Sequence, residues 1–276
     1  MSVHPASISL SALLIARRQQ AHRVSFDITE GWMQGRTAFG GLLSALAVQA
    51  MRDVCGSDWP LRALQTNFVG PVGVGTVHVE VTLLRQGKHV RQIKAELRQT
   101  DAQGAEQVCG ILLGVFGADR ASQIDTRRPV QAAVATPAEA GTPLPFIPGL
   151  TPNFTQHLDL RLAEGAFPFT GSDSWLARLH VRLKDNDGVD PELMTIMLAD
   201  AGPPPVLSRA KAMAAASSVS WALELRPVSE VDHNGWWRLD QDTIAYEDGY
   251  ANDRAQLWTP DGQLAALGYQ VVAVYA

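Results

Sequence analysis

Three places in the chain break a local rule in a way that can serve chemistry. Asp200 ends the apolar run Glu192-Leu193-Met194-Thr195-Ile196-Met197-Leu198-Ala199-Asp200, just ahead of Gly202 and three prolines. An acid at a helix C-terminus opposes the helix dipole, and a residue set against its local preference is a candidate for function; the plain alternative is a solvated end-of-helix acid. Gln270 interrupts the apolar stretch Leu264 to Val274. A buried amide needs partners, so it is either a satisfied core residue or part of a polar site. Phe39-Gly40-Gly41 opens a helix. Glycines there leave backbone N–H groups bare for an anion, and such donors can hold the oxyanion of acyl transfer; close helix packing would explain them equally well.

Other chemistries lack their residues. The chain has no G-x-S-x-G, P-loop, H-E-x-x-H or G-x-G-x-x-G. His4, His22, His78, His89, His157, His180 and His233 are scattered without metal-ligand spacing and read as polar-face residues. Asp185-Asn186-Asp187-Gly188-Val189-Asp190 is part of a calcium-loop pattern without its downstream Glu, and reads as a turn ending in an N-cap. Cys55 and Cys109 are the only cysteines, too few for a disulfide framework or a Cys-rich metal site. No metal and no cofactor is expected. A net charge of −5 argues against nonspecific nucleic-acid binding. The start Met1-Ser2-Val3-His4-Pro5 does not read as a signal peptide and no apolar run reaches membrane-spanning length. A cytoplasmic protein without membrane insertion is expected.

The elements that must position these residues follow a pattern stated twice. Residues 6–17 read as a short helix and Val24–Ile28 as a strand. Phe39–Val54 is a helix apolar nearly all round, to be wrapped by other structure. Strands are expected at Leu64–Phe68, Val77–Leu83, His89–Gln99 and Val108–Phe116, with a hairpin turn at Asp101-Ala102-Gln103-Gly104. Residues 118–149 carry five prolines and read as a linker. Then come strands at Phe154–Leu162 and Trp175–Lys184. The second of these points Ala177, Leu179, Val181 and Leu183 inward and Arg178, His180, Arg182 and Lys184 outward. Next is a helix opened by Asp190-Pro191, then strands near Ser217–Leu225, Gly235–Leu239, Ala245–Trp258 and Gln263–Tyr275, with Thr259-Pro260-Asp261-Gly262 as the last hairpin turn. Pro71 and Gly104 stand 33 residues apart, Pro227 and Gly262 stand 35 apart. A repeat of this length reads as a duplicated domain, not as a solenoid. The expected domains are 1–120 and 150–276, joined by 121–149.

The segment Trp32…Gly35-Arg36…Phe39-Gly40-Gly41, the Leu225-Arg226-Pro227 step, the Asp261-Gly262 hairpin and the Gln270 strand resemble acyl-CoA thioesterase II-type double-hotdog proteins. The resemblance implies an α+β double hotdog: two antiparallel sheets, each wrapping a long central helix, side by side as a pseudo-dimer. It implies hydrolysis of acyl-CoA thioesters, in lipid metabolism, by an Asp, a Thr or Ser, and a Gln of the second half. By position these fall on Asp200, Ser217 (counted back from Leu225-Arg226-Pro227) and Gln270. The chain departs here from the commoner Thr, and Ser218 and Ser220 are close neighbours of the assigned hydroxyl. Asp200 would act as base on a water that Ser217 and Gln270 help hold, with Phe39, Gly40 and Gly41 on the substrate side. The oxyanion donors could come from Gly40-Gly41 or from the second half. The partner implied is acyl-CoA, its phosphates on surface Arg or Lys, and a homodimer is expected because hotdog sheets pair edge to edge. A non-hydrolytic acyl-CoA binder on the same scaffold is the alternative. A hotdog dehydratase is disfavoured, since Phe39 stands where such enzymes carry a His.

Overall fold

The structure, a computed structural model, describes residues 7–56, 58–134, 136–228, 232 and 234–276. The N-terminal residues Met1–Pro5 and the histidines His4 and His233 lie outside the described residues.

Chain order shows the duplication directly. The first half runs β1 (Arg18–Gln20), β2 (Arg23–Ile28), a small hairpin of β3 (Met33–Gln34) and β4 (Thr37–Ala38), helix α2 (Gly40–Cys55), then β5 (Leu61–Phe68), β6 (Gly75–Gln86), β7 (Val90–Thr100) and β8 (Glu106–Gly117), all after the short helix α1 (Leu10–Ile15). The second half runs β9 (Thr142–Pro143), β10 (Leu158–Gly165), β11 (Leu176–Leu183), α3 (Pro191–Ala199), β12 (Ala215–Leu225), β13 (Trp237–Glu247), β14 (Tyr250–Trp258) and β15 (Leu264–Tyr275). One strand, one helix and four strands thus occur twice: β2, α2, β5–β8 and β11, α3, β12–β15.

The expectation of two sheets is corrected. The long strands form one 13-stranded sheet, in the order β1-β2-β6-β7-β8-β5-β12-β15-β14-β13-β11-β10-β9. Read outward from the β5–β12 junction, the two halves repeat one order. At that junction Trp221 pairs with Thr66 and Ser220 with Asn67, antiparallel. The edge-to-edge pairing behind the dimer expectation is therefore made inside one chain.

The helices lie against this sheet. In α2, Leu42, Leu43, Ala45, Leu46, Ala47, Val48, Ala50 and Met51 are all buried, so the helix is enclosed on every side, as its all-round apolarity requires. In α3, Leu193 through Ala199 are buried, but the helix has nine residues, shorter than the long central helix expected. Both helices and both halves of the sheet contribute to one shared main core. The helices run antiparallel. Arg52 in the last turn of α2 forks onto Glu192 in the first turn of α3, with Nη2 at 2.7 Å from both carboxylate oxygens. Each charge sits at the helix end whose dipole favours it.

Several local expectations change. The run Ala245–Trp258 is not one strand: Asp248 and Gly249, at φ 50° and 80°, turn the chain between β13 and β14. An Asp-Gly pair with left-handed backbone is the strongest short hairpin signal, and it lies in the sequence. Phe154 belongs to a 3-10 turn over Asn153–His157, and the strand begins only at Leu158. The segment read as a linker adds Thr142–Pro143 to the sheet edge beside Arg161 and Leu162, and its Thr136 carbonyl lies 3.0 Å from His180 Nε2. His180, expected to face out, is buried beneath it.

Candidate active site

The crossing of α2 and α3 builds the site. A Cβ added at Gly41 would lie 3.1 Å from the Met197 carbonyl and 2.6 Å from the Phe39 ring. One added at Gly40 would lie 2.9 Å from Asp200 Oδ2 and 3.0 Å from the Phe68 ring. Side chains at these two positions would hold the helices apart, so the glycines permit the approach. The cap residue Phe39 gives α2 no side-chain acceptor. Asp200, the cap residue at the end of α3, fills that place: its carboxyl accepts from the Gly41 backbone N–H.

The other donor to Asp200 is Gln270, whose Nε2 lies 3.1 Å from Oδ1. The same Nε2 donates to Ser218 Oγ at 2.7 Å. One amide therefore ties the acid to a hydroxyl and spends both its N–H groups doing so. Ser218 Oγ accepts this bond and keeps its own proton to donate. Asp200 is half-buried at the meeting point of the two halves. Burial pushes its carboxyl up to about 7, against the opposing pull of the Gln270 and Gly41 donors.

Of the residues singled out in the sequence, the structure brings together Asp200, Gln270, Gly40 and Gly41. Ser217 does not join them. It pairs with Ala273, on the face of β12 opposite to Gln270, and is exposed. The reason is a register shift between Ser218 and Ser220. In an unbroken strand Leu225, Leu223, Trp221, Val219 and Ser217 would share a face, because side chains alternate with period two. The bulge inserts one residue and inverts that alternation, so that Ser218 joins Trp221 on the inward side. Counting back from Leu225 to Ser217 goes one residue too far. Phe39 is wholly buried and stacks on Phe154, rings 4.0 Å apart at 1°. Its ring supports Gly41 from behind and has no exposed surface to offer.

Sequence reasoning missed two neighbours and left a third, Ser218, as an alternative beside Ser217. The bulge hid which of the two serines faces Gln270, and Phe154 was hidden by being read as strand. Asp253, an acid 5% exposed on β14, pairs directly with Gln270. Its only signal is an acidic residue within the run assigned as one continuous strand. Thr66, Trp221, Gln270, Asp253 and Thr243 form one cross-strand rung over β5, β12, β15, β14 and β13.

The described residues contain no group of three or more His, Cys, Asp or Glu suited to a metal ion, and no helix long and apolar enough to cross a membrane.

Comparison with known proteins agrees with this architecture. Residues 28–117 match the family model of the acyl-CoA thioesterase N-terminal domain, and residues 137–274 that of the acyl-CoA thioesterase C-terminal domain. No curated protein matches the chain. Among solved structures, a hot dog fold protein of unknown function from Alicyclobacillus acidocaldarius superposes with a TM-score of 0.80 at 19% identity, covering 97% of this chain and 98% of that one. An acyl-CoA thioesterase II, TesB2, from Mycobacterium marinum superposes at 0.73 and 15% identity, covering 97% and 99%. The tesB protein of Mycobacterium avium subs paratuberculosis gives 0.73 at 14% identity, covering 97% and 98%. At these identities the structural likeness speaks for the fold, while the family models cover both halves of the sequence. With the order strand, helix and four strands made twice and both thioesterase domain models matched in turn, the chain belongs to the acyl-CoA thioesterase family and has its double-hotdog fold.

Proposed function

We propose that this protein hydrolyses acyl-CoA thioesters, with Asp200 as general base. The observation that carries the reading is the joined contact of Asp200, Gln270 and Ser218 at the N-terminus of α2. In the proposed reaction a water lodges between the Asp200 carboxylate and the Ser218 hydroxyl, with the Gln270 amide fixing the spacing of those two groups. Asp200 takes one proton from the water as its oxygen attacks the thioester carbonyl. The tetrahedral oxyanion collapses, the carbon–sulfur bond breaks, and CoA leaves as a thiolate that picks up a proton. A carboxyl titrating near neutral pH suits a general base, being ionised in part yet basic enough to accept a proton. The Gly41 amide is already committed to Asp200, which disfavours it as an oxyanion donor and leaves its role as orienting the base.

The proposal replaces Ser217 with Ser218 as the hydroxyl and assigns Gly40 and Gly41 to holding Asp200 beside the substrate carbonyl. The test is thiol release from acyl-CoAs of graded chain length by wild type and Asp200→Asn. Turnover by wild type with loss in the variant supports the reading. Binding of acyl-CoA across the series without any turnover by wild type would instead make the chain a non-hydrolytic acyl-CoA binder.

A further inference from the structure

One buried acid that the proposed reaction leaves unused, and that pairs with a site residue, is Asp253. It is 5% exposed, and among the described residues its Oδ2 has no hydrogen-bond partner. Its Oδ1 accepts from Thr243 Oγ1 at 2.7 Å, and that hydroxyl in turn accepts from the Val206 backbone N–H at 3.1 Å. Val206 lies at the end of the segment that leaves Asp200, and the same segment rests on β13 a second time: Gly202 packs so close to the Gln241 side chain that a Cβ there would force it to shift. Asp253 thus reaches the base through two hydrogen bonds and a short stretch of chain rich in proline, which has little freedom to absorb a displacement. On its other side Asp253 pairs directly with Gln270 across β14 and β15. Directly opposed residues of an antiparallel pair point to the same face with Cβ atoms roughly 4.5–5.5 Å apart. The Gln270 N–H groups are spent on Asp200 and Ser218, so its carbonyl oxygen is the end left to meet a neighbour.

We infer that Asp253 is a positioning residue for the Asp200–Gln270 pair, gripping the chain that leaves Asp200 through Thr243 and facing the Gln270 amide across the strands. The inference rests on the thioesterase reading for its kinetic consequences alone. Asp253 therefore has one site residue, Gln270, across the strands on one side and Thr243 on the other. Burial, with the nearby charge of Asp242, pushes its carboxyl up to about 6 against the hydrogen bond from Thr243.

The test compares wild type with Asp253→Leu, Asp253→Asn and Thr243→Val. Readouts are kcat and KM for an acyl-CoA that wild type turns over, melting temperature, and the titration midpoint of the Asp200 carboxyl followed by carbon NMR. Asp253→Leu should lower kcat by about 10–100-fold, the scale of a small misplacement of catalytic groups, with KM little changed and the Asp200 midpoint displaced. Asp253→Asn keeps the size of the side chain and an acceptor for Thr243, and should retain most of the wild-type kcat. Thr243→Val, similar in shape, should reproduce the Leu effect more weakly, and it decides the matter should Asp253→Leu not fold. Folded variants with wild-type kcat and an unmoved Asp200 midpoint would overturn the inference. Should wild type release no CoA, the thioesterase reading fails, and the Asp200 midpoint still decides the positioning role.

Discussion

Asp200, at the C-terminal end of α3, accepts a hydrogen bond from the backbone N–H of Gly41 in the first turn of α2. Within its own helix the acid opposes the dipole. Because the two helices run antiparallel, it is also at the N-terminus of its neighbour, where a negative charge is favoured and the orphan N–H groups need an acceptor. The first half of the duplication thus contributes an end of a helix, and the second half the acid that this end orients.

Asp200→Asn should abolish turnover by at least about 100-fold, the lower end of what general bases contribute. It should also stabilise the fold above neutral pH. The carboxyl is raised to about 7 in the folded state, so the native protein holds that proton more tightly than the unfolded chain. Stability is therefore lost as pH rises from about 4 through about 7. The melting temperature of Asp200→Asn should exceed that of wild type at pH 8, and the gap should close toward pH 4. A gap that stays constant over this range would contradict the assigned shift.

The rate should rise with pH as Asp200 ionises. With the base titrating near 7, kcat should climb through neutral pH and level off above it, in a profile measured with one acyl-CoA at saturation. A flat profile from pH 5 to 9 would exclude Asp200 as the base.

Ser218→Ala should lower kcat by about tenfold, the worth of one hydrogen bond in a polar site, whereas Ser217→Ala should leave it within about twofold, as expected of an exposed side chain away from the site. The paired assay separates the two adjacent hydroxyls. Equal effects would mean that the bulge does not set which one serves.

Gly41→Ala and Gly40→Ala should fail differently. The Gly41 Cβ meets the Phe39 ring and the Met197 carbonyl, so it should cost about 1–3 kcal/mol of stability through overpacking, read by denaturant unfolding. The Gly40 Cβ meets Asp200 Oδ2 and the edge of the Phe68 ring, a polar group at the site and a side chain able to shift. It should reduce kcat more than stability. Equal stability losses with equal activity would refute the placement of Asp200 against the helix end.

Much of the fold was legible because its signals are local. The all-round apolarity of α2, the Asp190-Pro191 start of α3, the glycine hairpin turns at Gly104 and Gly262, and the alternation in β7 and β11 each follow from one stretch of chain. The Asp248-Gly249 turn is equally local, an Asp-Gly pair inside the run expected as one strand. Asp200 and Gln270 stood out because each contradicts its surroundings, an acid at the wrong end of a helix and an amide in an apolar strand.

By itself, then, the sequence determined the two-fold repeat of elements, the positions of the exceptional acid, amide and glycines, and the family they resemble, all of which depend on residue type and short-range order. The tertiary structure decided the rest. Joining β5 to β12 made one sheet from two halves; the antiparallel crossing of α2 and α3 turned a misplaced acid into an oriented one; and a single bulged residue in β12 chose Ser218 over Ser217. Each of these depends on pairing between segments far apart in the chain, and neither alternation nor composition within one segment carries that information.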